Sequence, residues 1–167
     1  MDREDFARRQ ANPTKPDDGL RPLTADGARR MRRNARGLAR ALSPPAALFT
    51  SPFVRAVSTA AILLERAWPE GLTAVVADEL RPDRHPAELL ALLKSAVRKQ
   101  GRLSTIAIVG HEPHLSLAAG WLMSTDERAL FELKKGGACL LDFTAGLEAG
   151  RARLVWLATP KLLRGLG

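Results

Sequence analysis

The chain holds three histidines, and two of them, His111 and His114, fall within "STIAIVGHEPHLSLAAGWL" (residues 104–122). This stretch runs apolar, stops at Gly110, and places His111 where a buried strand would end and a helix begin. A second stretch, "LFTSPFVRAVST", has the same form. A short apolar run reaches a Ser51-Pro52 turn, and Arg55 follows in what reads as a first helical turn. The free N–H groups of a helix N-terminus attract anions, and an arginine fork matches phosphate oxygens. An imidazole beside them adds a group that titrates near neutral pH. Ser51, Arg55 and His111 are therefore the candidate residues of an anion pocket. Each also has an ordinary reading, Arg55 as a surface cation and His111 as a strand-end residue.

The other candidates carry less. His114 lies about one helical turn after His111, but a two-histidine metal site needs a third ligand, and none is apparent. His85 in "RPDRHPAEL" reads as preceding or capping a helix. Cys139, inside an apolar run, reads as a small core residue. No metal and no cofactor is expected.

Positioning these residues requires elements that alternate. Residues 1–23 read as irregular, with Pro, Asp and Gly dense in "ANPTKPDDGLRP". Thr24 can cap a helix over 25–42, with apolar residues at helical spacing until Pro44-Pro45. "AALFTS" reads as a strand, and Pro52 suits the start of a helix running to Trp68. "LTAVVADEL" reads as a strand, 86–100 as a helix, "STIAIVG" as a strand, and Pro113 starts a helix through Met123. "GACLLDFT" and "ARLVWLAT" then close the chain as an antiparallel pair around "AGLEAG". This alternation predicts an α/β fold with a largely parallel sheet, as one domain over 1–167. Ligands of such open sheets bind beyond the carboxyl ends of the strands, where both Arg55 and His111 fall.

Composition narrows the class. With 167 residues, 46% hydrophobic and 26% charged, the chain has the balance of a soluble globular protein. No apolar run is long enough to span a bilayer, and "MDREDFARRQ" does not read as a signal peptide. The single cysteine excludes an internal disulfide. A cytoplasmic setting with no membrane partner is expected. The net charge of +8 suits an anionic partner, and much of it lies in "GARRMRRNARGLAR". Arg29, Arg33, Arg36 and Arg40 share one helix face. The chain's five Phe, three Trp and no Tyr give little support for base stacking. These arginines read as a solvated face rather than a nucleic-acid surface.

Taken in order, "GLRPLTADGARR", "FTSPFVRAVSTA", "IAIVGHEPHLSLAAGWL" and "LKKGGACLLDF" resemble the histidine phosphatase superfamily, and within it the SixA-like phosphohistidine phosphatases. The resemblance runs from about Leu20 to the C-terminus. It implies a three-layer α/β/α domain with a mixed, mostly parallel sheet of the phosphoglycerate mutase type. It also implies metal-free phosphoryl transfer through a phosphohistidine, with a phosphorylated protein as partner and phosphate or sulfate as a bound ion. Arg55 matches the family's arginine after the Ser-Pro turn, and His111 its second histidine, which would serve as imidazolium. Other branches place a general-acid Glu where this chain has Pro82, with Glu79 and Asp83 near but not matching. Its absence favours phosphohistidine over an alkyl phosphate, whose leaving group needs more acid help.

The family's nucleophilic histidine, at the end of an opening strand in Arg-His-Gly or Arg-His-Ala, has no counterpart here. His85 and His114 are not in the matching place. The expectation is that the first strand lies upstream of Met1, so that this chain is N-terminally truncated and weakly active or inactive as written. The alternatives are a non-catalytic phosphate- or phosphoprotein-binding module and a small-molecule phosphomonoesterase.

Overall fold

The computed structural model describes residues 17–68, 70–100, 105–126 and 128–167. The irregular reading of residues 1–16 lies outside them. Within 17–23 the chain is not wholly irregular, because Asp18–Leu20 forms a 3-10 turn. Asp17 caps this turn, its Oδ1 accepting from the Gly19 N–H at 2.9 Å.

Helix α1 (Ala25–Ala41) starts where the sequence predicts, with Thr24 Oγ1 accepting from the Gly27 N–H at 3.0 Å. It buries Asn34, Ala35, Gly37 and Leu38. Strand β1 (Ala47–Thr50) leads to α2 (Val54–Arg66). Strand β2 covers only Ala74–Val76, shorter than the predicted run, because Asp78–Leu80 folds into a 3-10 turn that buries Leu80 completely. Then come α3 (Pro86–Gln100), β3 (Ile106–Val109) and α4 (His114–Ser124). Strands β4 (Ala138–Asp142) and β5 (Arg153–Ala158) precede a last helix, α5 (Pro160–Leu166). Sequence periodicity missed α5, although Thr159-Pro160 is a start signal. Thr159 Oγ1 accepts from the Leu162 N–H at 3.2 Å.

Strands β2, β1 and β3 form a parallel sheet with β1 in the centre, Leu48 opposite Ala74 and Ala107. β4 and β5 pair antiparallel, as predicted, with an irregularity between Leu140 and Leu141. Alternation along the strands sorts the layers. Leu48, Ala107 and Val109 pack with α1, α2 and α5 residues such as Leu38, Leu63 and Leu163. Phe49, Ile106 and Ile108 pack on the other side with Leu89, Leu93 and Ala118 of α3 and α4. Helices thus cover both faces of the parallel sheet, in the α/β arrangement the alternation predicts.

Close approaches fix the helices. A Cβ on Gly37 would lie 1.8 Å from the Leu163 carbonyl oxygen, so α1 and α5 meet backbone to backbone only because position 37 has no side chain. Buried Asn34 joins three segments. Its Nδ2 donates to the Gly136 carbonyl at 2.9 Å, and its Oδ1 accepts from Arg164 Nη1 at 3.2 Å.

Among the described residues, β3 pairs only with β1, and β4 only with β5. Yet Ala107 and Val109 of β3 and Ala138 of β4 belong to one apolar cluster. The parallel sheet and the hairpin share a core without a hydrogen-bond ladder between them.

Candidate active site at the strand ends

The carboxyl ends of β1 and β3 bring the predicted residues together. Ser51, just after β1, is fully buried. Its N–H donates to the Val109 carbonyl at 2.9 Å, which extends the β1–β3 ladder by one bond. His111, 8% exposed, stands two residues past β3. Its Nε2 lies 2.8 Å from Ser51 Oγ. The Phe53 N–H donates to the same Oγ at 3.4 Å. With His111 protonated on Nδ1, Ser51 can donate to Nε2 while accepting from the Phe53 N–H.

Phe53 is the centre of this arrangement. Its ring lies 4.9 Å from the His111 ring, tilted by 52°. Arg55, in the first turn of α2, places its guanidinium carbon 5.1 Å from the same ring centroid. Such a stack holds a planar cation in place while leaving its edge free to donate.

Two donors of that edge are already engaged. Arg55 Nη1 donates to the Asp18 carbonyl at 2.6 Å, and Nη2 to Asp18 Oδ2 at 2.8 Å. Sequence reasoning did not single out Asp18, which lay in a segment read as loop. The pairing spans 37 residues, so no local spacing signals it. The Arg55 hydrogen bond holds the Asp18 carboxyl below its ordinary pKa.

Burial and the Arg55 charge push His111 down to about 4, against a smaller opposing pull from Asp18. The ring is therefore neutral at pH 7 in the free protein, not the imidazolium the sequence reading expected. A dianion arriving beside it favours the charged form.

Arg81 was also missed. It follows the 3-10 turn after β2, and its guanidinium carbon lies 5.5 Å from the Phe53 centroid. Asp83 lies 3.6 Å from its Nε, and Glu79 sits within the turn itself.

The remaining candidates take structural places. His85 Nδ1 accepts from the Ala87 N–H at 3.1 Å, as a residue at the start of α3 should, and its ring meets Trp121 edge-on at 6.0 Å. His114 is buried at the start of α4, and neither ring nitrogen has a hydrogen bond of good geometry. Burial pushes its pKa down, while the nearby Arg84 backbone, Asp83 and Glu88 oppose this. Cys139 has its thiol pushed up to about 11 by burial and by Glu112, which makes it a poor nucleophile. No group of three or more His, Cys, Asp or Glu side chains suited to a metal occurs among the described residues.

No protein-family model matches the sequence. No curated protein matches it either. Solved structures do match. A structure of the protein histidine phosphatase SixA complexed with tungstate superposes with a TM-score of 0.75 at 19% identity, covering 88% of this chain and 89% of that one. A protein assigned as phosphohistidine phosphatase SixA from Agrobacterium tumefaciens gives 0.69 at 21% identity, covering 90% of each chain. One so assigned from Nakamurella multipartitia gives 0.67 at 22% identity, covering 88% and 89%. The fold of this chain is thus similar to that of the SixA structures over almost nine-tenths of its length.

Proposed function

We propose that the strand-end site is the phosphate pocket of a phosphohistidine phosphatase acting on a phosphorylated protein. The observation that carries this reading is the convergence of Ser51, Arg55 and His111 around Phe53, at the carboxyl ends of β1 and β3. The SixA structure complexed with tungstate supports it, since tungstate is a tetrahedral oxyanion like phosphate.

In this reading Arg55 holds two phosphoryl oxygens, and His111 hydrogen-bonds a third while Ser51 fixes its ring. Charge spread over those oxygens in transfer is then met by preorganised donors. In the family that this chain resembles, the attacking group is a histidine, which has no counterpart among these residues. Its imidazole nitrogen bonds to phosphorus as the substrate nitrogen leaves, and water then cleaves the new P–N bond to release phosphate. The substrate's imidazole, once protonated, departs as a neutral ring, so no strong general acid is needed. Free Cys139 and the lack of any helix long and apolar enough to cross a membrane, among the described residues, suit a cytoplasmic setting.

One observation favours a second reading, that of a phosphoprotein-binding module. Among the described residues neither His85 nor His114 stands at Ser51 and Arg55, so the pocket has donors but no nucleophile of its own. Phosphate release from a phosphohistidine peptide separates the two. The 167-residue chain should release phosphate at the uncatalysed rate. Added free imidazole, standing in for the attacking histidine, should speed release, and Arg55→Ala should lower that gain about 100-fold or more. Binding of the phosphohistidine peptide with no imidazole-dependent release would leave binding alone.

A further inference from the structure

Two guanidiniums, not one, rest on Phe53, and their surroundings differ. Arg55 is 20% exposed in its side chain and is held twice by Asp18. Arg81 is 41% exposed, and its side chain makes no hydrogen bond among the described residues. Its one acidic neighbour, Asp83, is itself 71% exposed and stands 3.6 Å from Nε, beyond hydrogen-bond range, so both terminal nitrogens are available.

The backbone of Arg81 is not correspondingly loose. Its N–H donates to the Asp78 carbonyl at 3.0 Å, and its carbonyl accepts from the Arg84 N–H at 3.2 Å. Leu80 beside it is fully buried, and Pro82 follows. A fixed backbone, an aromatic ring under the guanidinium and an uncommitted fork are what a carboxylate receptor needs.

We infer that Arg81 is a specificity residue of the same site, pairing with an Asp or Glu that flanks the phosphohistidine in the protein substrate. This rests on the phosphohistidine reading of the pocket. Both guanidinium carbons lie close to one ring centroid, so they are at most about 11 Å apart. Extended peptide advances about 3.5 Å per residue. A carboxylate one to three residues from the phosphorylated histidine therefore reaches Arg81 while the phosphoryl group is at Arg55. The net charge of +8 steers such an acidic segment toward the protein.

The test uses the 167-residue chain and calorimetric binding of three probes. These are inorganic phosphate, a peptide carrying a non-hydrolysable phosphonate analogue of phosphohistidine between Asp and Glu residues, and the same peptide with Asn and Gln instead. Wild type should prefer the acidic peptide by about 5–10-fold at low salt, the preference fading as salt rises. Arg81→Gln should bring the ratio of the two peptide affinities close to one, and Arg81→Lys should keep part of it. An equal loss for both peptides would mean that Arg81 only supports Phe53, and an unchanged ratio would mean that it does not touch the flank. Either result overturns the assignment. Phosphate binding that is indifferent to Arg55→Ala would instead overturn the pocket reading beneath it.

Discussion

At the scale of single residues, the site is governed by which charges are already paired. Asp18 occupies two donors of Arg55 and also offsets the forces that keep His111 neutral. Asp18→Asn removes that carboxylate charge, so His111 should titrate even lower than about 4 in a histidine-resolved NMR titration. It should also bind phosphate several-fold more tightly, since an anion no longer meets a carboxylate at Arg55. The depressed His111 has a consequence for stability. Its folded pKa lies below the unfolded value of 6.5, so the unfolded chain binds more protons between the two. The stabilisation is whole above pH 6.5 and is lost as pH falls toward about 4. Solvent at the rim of the ring limits the effect to about 1–2 kcal/mol. His111→Gln should flatten that part of the stability profile, and urea titrations at pH 7 and pH 4.5 measure it. Ser51, Arg55 and His111 were legible in the sequence because each stands at the end of an apolar run, where a strand must stop. Asp18 and Arg81 were not, since each reaches the site only through tertiary contacts, one with Arg55 and the other with the Phe53 ring.

At the scale of elements, helix periodicity and strand runs placed α1 to α4 and all five strands, because their apolar residues repeat at the spacing of their own geometry. α5 escaped because seven residues are too few to show a period. β2 was overextended because Ala77 and Leu80 keep apolar residues going past Val76 while the backbone turns into a 3-10 segment. What holds α5 in place is a backbone contact, and a single methyl group tests it. Gly37→Ala drives a Cβ to 1.8 Å from the Leu163 carbonyl oxygen, where a rigid helix must move. Overpacking of this kind costs about 1–3 kcal/mol. Thermal unfolding should shift down by about 3–10 °C. Gly120→Ala should behave alike, its Cβ meeting the Arg128 carbonyl at 2.0 Å. Neither glycine lies at the strand ends, so the folded fraction of each variant should bind phosphate as wild type does.

At the scale of the whole molecule, the parallel sheet and the hairpin share one apolar cluster and, among the described residues, leave edges unpaired between them. β3 would be buried on both faces and paired on both sides in a continuous sheet, whereas Ile106, Ala107 and Ile108 are only partly buried here. Hydrogen exchange reads this directly. Amides of β3 and of the hairpin at those edges should exchange about 100-fold or more faster than the amides of the central β1. The α/β class and the order of the layers were legible because strands and helices alternate. The break between the two sheets was not, because sequence patterning specifies faces and not neighbours.

The central claim is that Arg55 and His111 form one phosphate site. Titrating inorganic phosphate at pH 7 into the 167-residue chain, and into its Arg55→Ala variant, while following the His111 ring by NMR, tests it most directly. The account predicts saturable binding that raises the His111 pKa from about 4 by a unit or more, and that weakens about tenfold or more in the variant. A His111 signal that ignores phosphate, or an affinity that Arg55→Ala leaves unchanged, would contradict it.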